Sequence, residues 1–204
     1  MATASETTPT RPLPRAERHA AILRGAAVAF AGGGYAGTSM EDIAAASGIT
    51  KLIVYRHFDS KEELYRAVLQ RVFDRLAEEF LAEYARPGTA SIGARSLLTV
   101  AREDPAGFQL LWRHAAREPA FAEYARELRD HAVDASRALL AGRVDASVHE
   151  WAAQTVVSYL VDATLNWLDH GDAARDDVFL DMTSVALRAA ILGWSGAATS
   201  RTPG

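Results

Sequence analysis

Residues 38–63 read TSMEDIAAASGITKLIVYRHFDSKEE and contain the start signals of three successive helices. Ser39, with Asp42 three residues later, predicts the first start, because these side chains can cap the free N–H groups of a helix. Gly48 predicts the end of that helix, since glycine readily adopts the left-handed conformation. Thr50 predicts the second start. Two helices joined by a short glycine-containing turn are typical of a DNA-binding helix-turn-helix.

The third helix begins with a second capping pattern and is much longer. Ser60 and Glu63 have the spacing of a capping box. Apolar residues then recur every four positions as far as Tyr84, which predicts one helix over 60–84 with a wide apolar stripe. This helix is expected to connect the helix-turn-helix to the rest of the chain. The stripe consists of Leu64, Val68, Val72, Leu76 and Phe80.

The two lysines of the chain, Lys51 and Lys61, each follow a predicted N-cap. A cation at this position is disfavoured by the helix dipole, by roughly 0.3–1 kcal/mol. We therefore expect an external anion, such as a DNA phosphate lying between the two helix starts, to meet both ammonium groups. The alternative is that both lysines are simply solvated, as most surface charges are.

Residues 34–69, GYAGTSMEDIAAASGITKLIVYRHFDSKEELYRAVL, closely resemble the DNA-binding signature of the tetracycline-repressor (TetR) family of bacterial transcription regulators. The resemblance extends over about residues 15–70; beyond them only length and helix layout are similar. It implies a homodimeric regulator that binds a double-stranded, palindromic DNA operator. The expected role is that of a repressor. A small-molecule effector bound among residues 90–170 is expected to release that operator. The residues that make this resemblance specific are Lys51, Tyr55, His57, Phe58, Ser60, Lys61 and Leu64.

The resemblance also implies roles for individual residues in DNA binding. Leu52 and Ile53 depart from the family, which usually has small or hydroxyl-bearing residues there. A branched apolar side chain can contact only thymine methyl groups, so we expect Arg56 to contact guanine, unless it is merely solvated. The predicted phosphate contacts are Lys51, Tyr55, His57 and Lys61, supported by Ser39 and Thr50, and Leu52 and Arg56 complete the predicted DNA-binding set.

The remaining sequence predicts an all-α fold, because no alternating apolar and polar stretch is long enough for a strand. Proline at helix starts and glycine after helix ends mark the boundaries. Further helices are predicted at about 15–31, ending at Gly32-Gly33-Gly34, and at 90–103, 105–118, 119–141, 147–170 and 174–194. The expected domains are a disordered tail over 1–14, a helix-turn-helix domain over 15–60 and an effector-binding and dimerisation domain over 61–204.

The last two helices are apolar over most of their circumference. A helix of this kind must bury two sides, and two adjacent ones favour a homodimer through a four-helix bundle. The alternative is a pair of central helices in a large monomeric core. The polar rows that interrupt them are Gln154, Ser158, Asp162 and Asn166 in the first helix, and Asp177, Asp181, Ser184 and Arg188 in the second.

Aromatic side chains on the middle helices border the first of these polar rows. An apolar space with a few orienting polar groups is typical of a small-molecule site. We expect a mainly apolar or aromatic ligand, although aromatic stripes are more often plain core. The predicted ligand contacts are Phe108, Trp112, His114, Phe121, Tyr124, Tyr159, Asp162 and Asn166, with Asp162 or Asn166 orienting the ligand.

Composition sets further expectations. The chain has no cysteine, which excludes disulfides and thiolate metal sites. No apolar run approaches 18 residues without a polar break and no export signal opens the chain, so we expect a cytoplasmic protein without a membrane span. Residues 1–61 carry 7 basic and 5 acidic side chains, whereas residues 62–204 carry 15 and 21. This asymmetry weakly supports DNA binding by the first segment.

Catalytic patterns are missing from the sequence. The six histidines are scattered, and only His114 and Glu118 have the helical spacing of a metal-binding pair, which is more often a surface contact. No nucleophile elbow or zinc-type histidine motif occurs. We therefore expect no enzyme activity, no metal and no cofactor. The alternatives are a helical enzyme with dispersed acids or a purely structural helical dimer.

Overall fold

The computed structural model describes residues 14–86 and 93–196, which are helical and include no strand. The all-α prediction is confirmed. The predicted disordered tail lies outside the described residues, except for Pro14, which precedes the first helix. The helices are α1 (Arg15–Gly37), α2 (Met40–Ser47), α3 (Lys51–Tyr55), α4 (Lys61–Tyr84), α5 (Ala94–Glu103), α6 (Pro105–Gln109), α7 (Ala122–Leu140), α8 (His149–His170) and α9 (Asp176–Gly196).

Helix α1 continues beyond its predicted end at Ala31. Of the three glycines, only Gly34 leaves the helical conformation, with φ 69°, and one further turn follows it. Thr38 then terminates the helix, because its hydroxyl donates to the carbonyl oxygens of Gly34 at 2.7 Å and Ala29 at 3.1 Å. The glycine triplet therefore kinks the helix, and a hydroxyl group ends it.

Helices α1 and α2 pack unusually closely. Ile22, Ala26 and Phe30 of α1 are buried. Gly25 lies beside them, and a Cβ atom placed on it would lie 2.6 Å from the backbone nitrogen and 2.7 Å from the Cα atom of Ser47. Only glycine fits at this crossing, which sets the position of α2 against α1.

Helix α4 forms part of both halves of the structure. It packs against α1 near its start and against α5 and α6 further along. Ser60 caps it, since its hydroxyl oxygen accepts from the Glu63 N–H at 3.0 Å. The apolar stripe is buried as far as Leu76. The predicted connecting helix over 60–84 is therefore confirmed.

The single helix predicted over 105–118 is wrong in detail. Asp104 caps α6 by accepting from the Gly107 N–H at 3.0 Å. The chain continues as a π-helical turn over Leu110–His114 and a 3₁₀ turn over Ala115–Arg117. Glu118 is extended, a conformation favoured before proline, so Pro119 ends this segment rather than starting α7.

The C-terminal helices complete the core. Helix α8 packs against α5, α7 and α9. Among the described residues, the segment Ala173–Ser195 is long and apolar enough to span a membrane by composition, with a mean hydropathy of 1.3. Phe179, Leu180 and Leu187 of this segment are nevertheless buried against the protein. The helix packs one side against the protein and presents apolar side chains outwards on the other.

Candidate nucleic-acid interface and ligand cavity

The helix-turn-helix has the local geometry that its sequence predicts. The Ser39 hydroxyl oxygen accepts from the Asp42 N–H at 3.1 Å, and the Asp42 carboxylate accepts from the Ser39 N–H at 2.8 Å. Hydrogen bonds from Ser39 also lower the pKa of Asp42. Gly48 ends α2 in the left-handed conformation, with φ 64°. Thr50 precedes α3, but its side chain makes no capping hydrogen bond.

Helix α3 is short and presents one face to solvent. Its inner side is fixed by Val54, which is buried together with Phe58 just beyond the helix. The outer side carries Leu52, which is 63% exposed, together with exposed Tyr55 and Arg56. These three side chains share a face, as expected of a helix that reads a DNA groove.

Lys51 has a partner on the neighbouring helix. Its ammonium group forms an exposed ion pair with Glu41 of α2 and lies 5.7 Å from the centre of the Tyr55 ring. An exposed ion pair of this kind contributes little, about 0–1 kcal/mol, because water screens it. The ammonium group therefore remains available to exchange Glu41 for a phosphate.

Lys61 has partners within the protein. Its ammonium group donates to the carbonyl oxygens of Tyr35 at 2.7 Å and Thr38 at 2.9 Å. It also lies 4.5 Å from the centre of the Tyr35 ring. The end of α1, 23–26 residues earlier, supplies these acceptors, and a phosphate contact by Lys61 stays a prediction. Two of the three ammonium N–H groups are thus used, and one remains.

His57 lies in a cluster of basic groups. Its ring centre is 5.9 Å from that of His19, which in turn stacks on Phe58 at 5.2 Å. Burial, followed by the charges of His19, Arg15 and Arg18, lowers the pKa of His57. The same basic surroundings that disfavour a charged imidazole would favour a bound anion.

Four aromatic rings join α1, α4 and the segment before α7. Tyr65 stacks on Phe121 with ring centroids 4.1 Å apart and meets Phe30 edge-on at 4.9 Å. Tyr35 contacts Phe121 edge-on at 4.7 Å. The Tyr65 hydroxyl has no hydrogen-bond partner among the described residues, and burial raises its pKa. We call these four residues the junction cluster.

A cavity of about 370 Å³ lies between α4, α5, α7 and α8, within the size range of small-molecule sites. Its described lining contains no aspartate, glutamate, lysine or arginine. The lining residues are Phe73, Leu76, Ala77, Phe80, Leu81, Gly93, Ser96, Leu97, Trp112, His131, Ala132, Ala135, Ser136, Leu139, Val156, Val157, Leu160 and Val161.

Only Trp112, among the eight predicted ligand contacts, lines this cavity. Phe108 is buried next to Trp112, and the centroids of the two rings are 6.4 Å apart. Phe121 belongs to the junction cluster, and the Tyr124 hydroxyl donates to Gln70 on α4. His114 is half-buried, and its pKa is lowered by burial and then by neighbouring arginines.

The predicted polar border of the cavity is wrong. Asp162 and Asn166 are exposed, and Tyr159 is partly exposed. Ser158 accepts a hydrogen bond from Arg129 at 2.7 Å. The polar row lies on the water-facing side of α8, and the apolar side chains of that helix line the cavity. The polar lining residues Ser96, His131 and Ser136 were missed, because no sequence pattern separates them from other serines and histidines on amphipathic helices.

Among the described residues, no group of three or more histidine or acidic side chains could hold a metal ion. The pair noted in the sequence is not a helical pair, since His114 ends the π-helical turn and Glu118 is extended. Glu118 instead accepts from the Tyr35 N–H at 3.4 Å. It thereby links the end of the 3₁₀ segment to α1.

Comparison with known proteins supports the functional interpretation of this geometry. Residues 22–68 match the family of bacterial regulatory proteins named tetR. The chain is 29% identical over 166 residues to the HTH-type transcriptional activator FasR of Mycolicibacterium smegmatis, covering 78% of this chain and 75% of FasR. It is 45% identical over 65 residues to an HTH-type transcriptional repressor of Mycobacterium tuberculosis, covering 32% of this chain and 35% of that repressor.

A solved structure shares the whole architecture. A TetR-like transcriptional regulator from a Rhodococcus species superposes with a TM-score of 0.74 at 25% identity, covering 89% of this chain and all of that one. The family match covers the helix-turn-helix, and the structural match includes the helices around the cavity. Residues 22–68 are therefore a DNA-binding segment of the TetR type, and the chain is a DNA-binding transcriptional regulator.

Proposed function

We propose that this regulator is a cytoplasmic, homodimeric repressor that releases a palindromic operator when a small molecule occupies the cavity. The observation that carries the proposal is the position of α4. Phe73, Leu76 and Phe80 of this helix line the cavity, and its first turn contains Lys61, which is bonded to the end of α1. One helix thus contacts both the ligand space and the DNA-binding segment.

The proposed domains follow from this arrangement. Residues 15–60 form the DNA-binding domain and residues 61–204 the effector-binding and dimerisation domain. Helix α2 packs mainly on α1, and the short α3 packs on α2. The reading helix is therefore positioned by α1 and α2, and a movement of α1 against α4 would carry it along.

The proposed DNA contacts divide into two groups. Leu52 and Arg56 face the bases, since both lie on the exposed side of α3. The other six anchor the phosphates, through basic or hydroxyl groups at helix starts and ends. The phosphate group consists of Ser39, Thr50, Lys51, Tyr55, His57 and Lys61. Each of these side chains is at least partly exposed, which is compatible with a contact to DNA.

The proposed dimer interface lies on α8 and α9. Trp151 of α8 and Met182, Val185 and Leu192 of α9 are large apolar side chains that remain more than half exposed. Apolar side chains clustered on adjacent helices are typical of a protein interface. A two-fold dimer would place two reading helices on successive major grooves, about 34 Å apart.

The proposed release mechanism is a change in the distance between the two reading helices of the dimer. A ligand that fills the cavity contacts α4 along three of its turns and shifts the balance between two orientations of that helix. The junction cluster and Lys61 transmit the change to α1. Repression rather than activation is also proposed, since FasR is an activator and the relative from Mycobacterium tuberculosis is a repressor.

The test begins with duplexes selected from a random pool by the purified chain. We expect a selected palindrome to bind as a dimer and to lose about 10³–10⁵ in affinity between 50 and 200 mM salt if six to ten phosphates are contacted. A library of small apolar compounds is then screened for weakened binding of this palindrome. Failure to select any sequence contradicts operator binding, and a compound that strengthens binding contradicts the repressor mechanism.

A further inference from the structure

Leu52 is a large apolar side chain on the outer face of α3. It is 63% exposed, whereas Val54 of the same helix is buried and Ile53 is half-buried. A single exposed leucine is common on protein surfaces and needs no explanation by itself. The position of Leu52 is what gives it meaning, because it lies on the face that a helix-turn-helix presents to the major groove.

The neighbouring side chains leave the centre of this face to Leu52 and Arg56. The Lys51 ammonium group pairs with Glu41 and lies near the Tyr55 ring, so it is directed towards α2. Arg56 is exposed and follows Leu52 by four residues, which places the two side chains next to each other on the helix surface. An apolar group and a guanidinium group are therefore the parts of α3 best placed to contact base edges.

The chemistry of the major groove determines which base a leucine can recognise. The apolar group that base edges present there is the C5 methyl of thymine, and their other groups are hydrogen-bond donors and acceptors. Leucine pairs with none of these, and covering them removes their water without a replacement. A leucine packed against the groove therefore favours thymine and disfavours the other three bases.

The spacing of the two side chains limits the spacing of the bases that they contact. Cβ atoms four residues apart on a helix are about 5–6 Å apart, and successive bases of one strand rise by about 3.4 Å. We propose that each operator half-site carries a thymine, recognised by Leu52 through its C5 methyl group, within about two base pairs of the guanine that Arg56 contacts. This inference rests on the proposed operator binding, and it names part of the sequence that is bound.

The first experiment removes the methyl group from the DNA and leaves the protein unchanged. The palindrome selected by the full-length chain is synthesised with deoxyuridine in place of each thymine in turn, at symmetric positions in both half-sites. Deoxyuridine lacks only the C5 methyl group, so base pairing is retained. We expect one symmetric pair of thymines to lower the affinity about 15-fold when replaced, which is about fourfold for each buried methyl group.

The responding thymine must also lie in the expected place. The guanine is identified by the base position at which Arg56→Ala relaxes operator choice. If no thymine within about two base pairs of that guanine responds to deoxyuridine, recognition of the methyl group by Leu52 is overturned.

The second experiment tests whether Leu52 is the group that detects the methyl. Leu52→Ala shortens the side chain, and Leu52→Asn keeps its size but not its apolar surface. Both variants should bind the thymine and deoxyuridine duplexes with equal affinity. Val28→Ala is the matched control and should keep the full difference, since Val28 is a branched apolar side chain of α1 that is 60% exposed. A difference that persists in both Leu52 variants assigns the methyl contact to another residue and overturns the inference.

The outcomes separate the thymine contact from the proposed function. Equal affinity of the unmodified chain for thymine and deoxyuridine duplexes overturns only the methyl contact, because operator binding is measured in the same titration. If the chain selects no sequence at all, operator binding and the thymine contact are overturned together. Denaturant unfolding of the Leu52 variants should match that of the unmodified chain, because exposed side chains contribute little to stability.

Discussion

The rings of Tyr65 and Phe121 stack with their centroids 4.1 Å apart, and this contact joins α4 to the segment that precedes α7. Tyr35, on the last turn of α1, meets both rings edge-on. The same tyrosine accepts the Lys61 hydrogen bond through its carbonyl oxygen. Helices α1 and α4 and the segment that precedes α7 therefore meet at one point.

Replacing Phe121 with leucine should weaken the coupling between ligand and operator. We expect a loss of about 0.5–2 kcal/mol in the effect of ligand on operator affinity, because the variant removes the stack but not either site. Ligand affinity and operator affinity are measured separately and together. The control is Phe179→Leu, which disrupts a stacked pair with Trp167 away from the junction. Equal effects of the two variants would contradict a specific role for the junction cluster.

The two lysines should respond differently to alanine substitution. Lys51→Ala removes an exposed charge, so the salt dependence of DNA binding should become shallower by about 0.9 per subunit with little change in stability. Lys61→Ala should lower that dependence similarly and also destabilise the fold by about 1–3 kcal/mol, because two carbonyl groups lose their donor. Salt titrations and denaturant unfolding measure both quantities. An unchanged salt dependence in Lys61→Ala would make this residue purely structural.

Arg56→Ala should relax operator choice at one base position. An arginine that contacts guanine contributes about 1–3 kcal/mol of discrimination, and an exposed side chain at the end of α3 can reach the major groove. Competition between the selected palindrome and single-base variants measures this effect. Lys51→Ala serves as the comparison and should weaken all duplexes alike. If Arg56→Ala does the same, base choice depends on DNA shape.

DNA binding should strengthen as the pH falls. In the free protein the pKa of His57 lies below 6.5, mainly because of burial. A phosphate beside the ring would raise that pKa, so binding takes up a proton. The added affinity is complete below the pKa of the free protein and is lost as the pH rises through the pKa of the complex. Titrations between about pH 5.5 and 8 should show this slope, and His57→Gln should flatten it. A flat profile in the unmodified protein would exclude a proton-linked phosphate contact.

Val185→Glu should dissociate the proposed dimer. Val185 on α9 and Val28 on α1 are both 60% exposed, which makes Val28→Glu a matched control. A buried, unpaired charge is costly, so the glutamate at 185 should yield monomers at micromolar concentration. Analytical ultracentrifugation measures the mass. A dimer that persists in Val185→Glu would place the interface elsewhere.

The helix-turn-helix was predictable because its signals are local. The Ser39–Asp42 and Ser60–Glu63 caps involve residues three apart, and the left-handed turn at Gly48 depends on one residue. These features need no knowledge of the rest of the fold. The apolar stripe of α4 has the same property, since its period alone predicts which side is buried.

The partners of Lys61 and the lining of the cavity could not be predicted in this way. The lysine acceptors lie 23 and 26 residues earlier, and they are positioned by a kink at Gly34. The polar row of α8 has the correct period, but a period does not show whether a polar side faces water or a cavity. Ser136 is distinguished from other serines only by its burial without a partner.

The close approach at Gly25 determines how accurately the reading helix is aimed. Carbon atoms in contact settle at roughly 3.5–4.0 Å, so a methyl group on Gly25 would push Ser47 away by about 1 Å. Helix α3 follows α2 through a short turn and would be displaced with it. In the proposed two-fold dimer this displacement occurs once in each subunit. The two displacements together change the distance between the two reading helices. Because glycine has only a hydrogen atom as its side chain, position 25 limits how far the separation of the two reading helices can deviate in the proposed dimer.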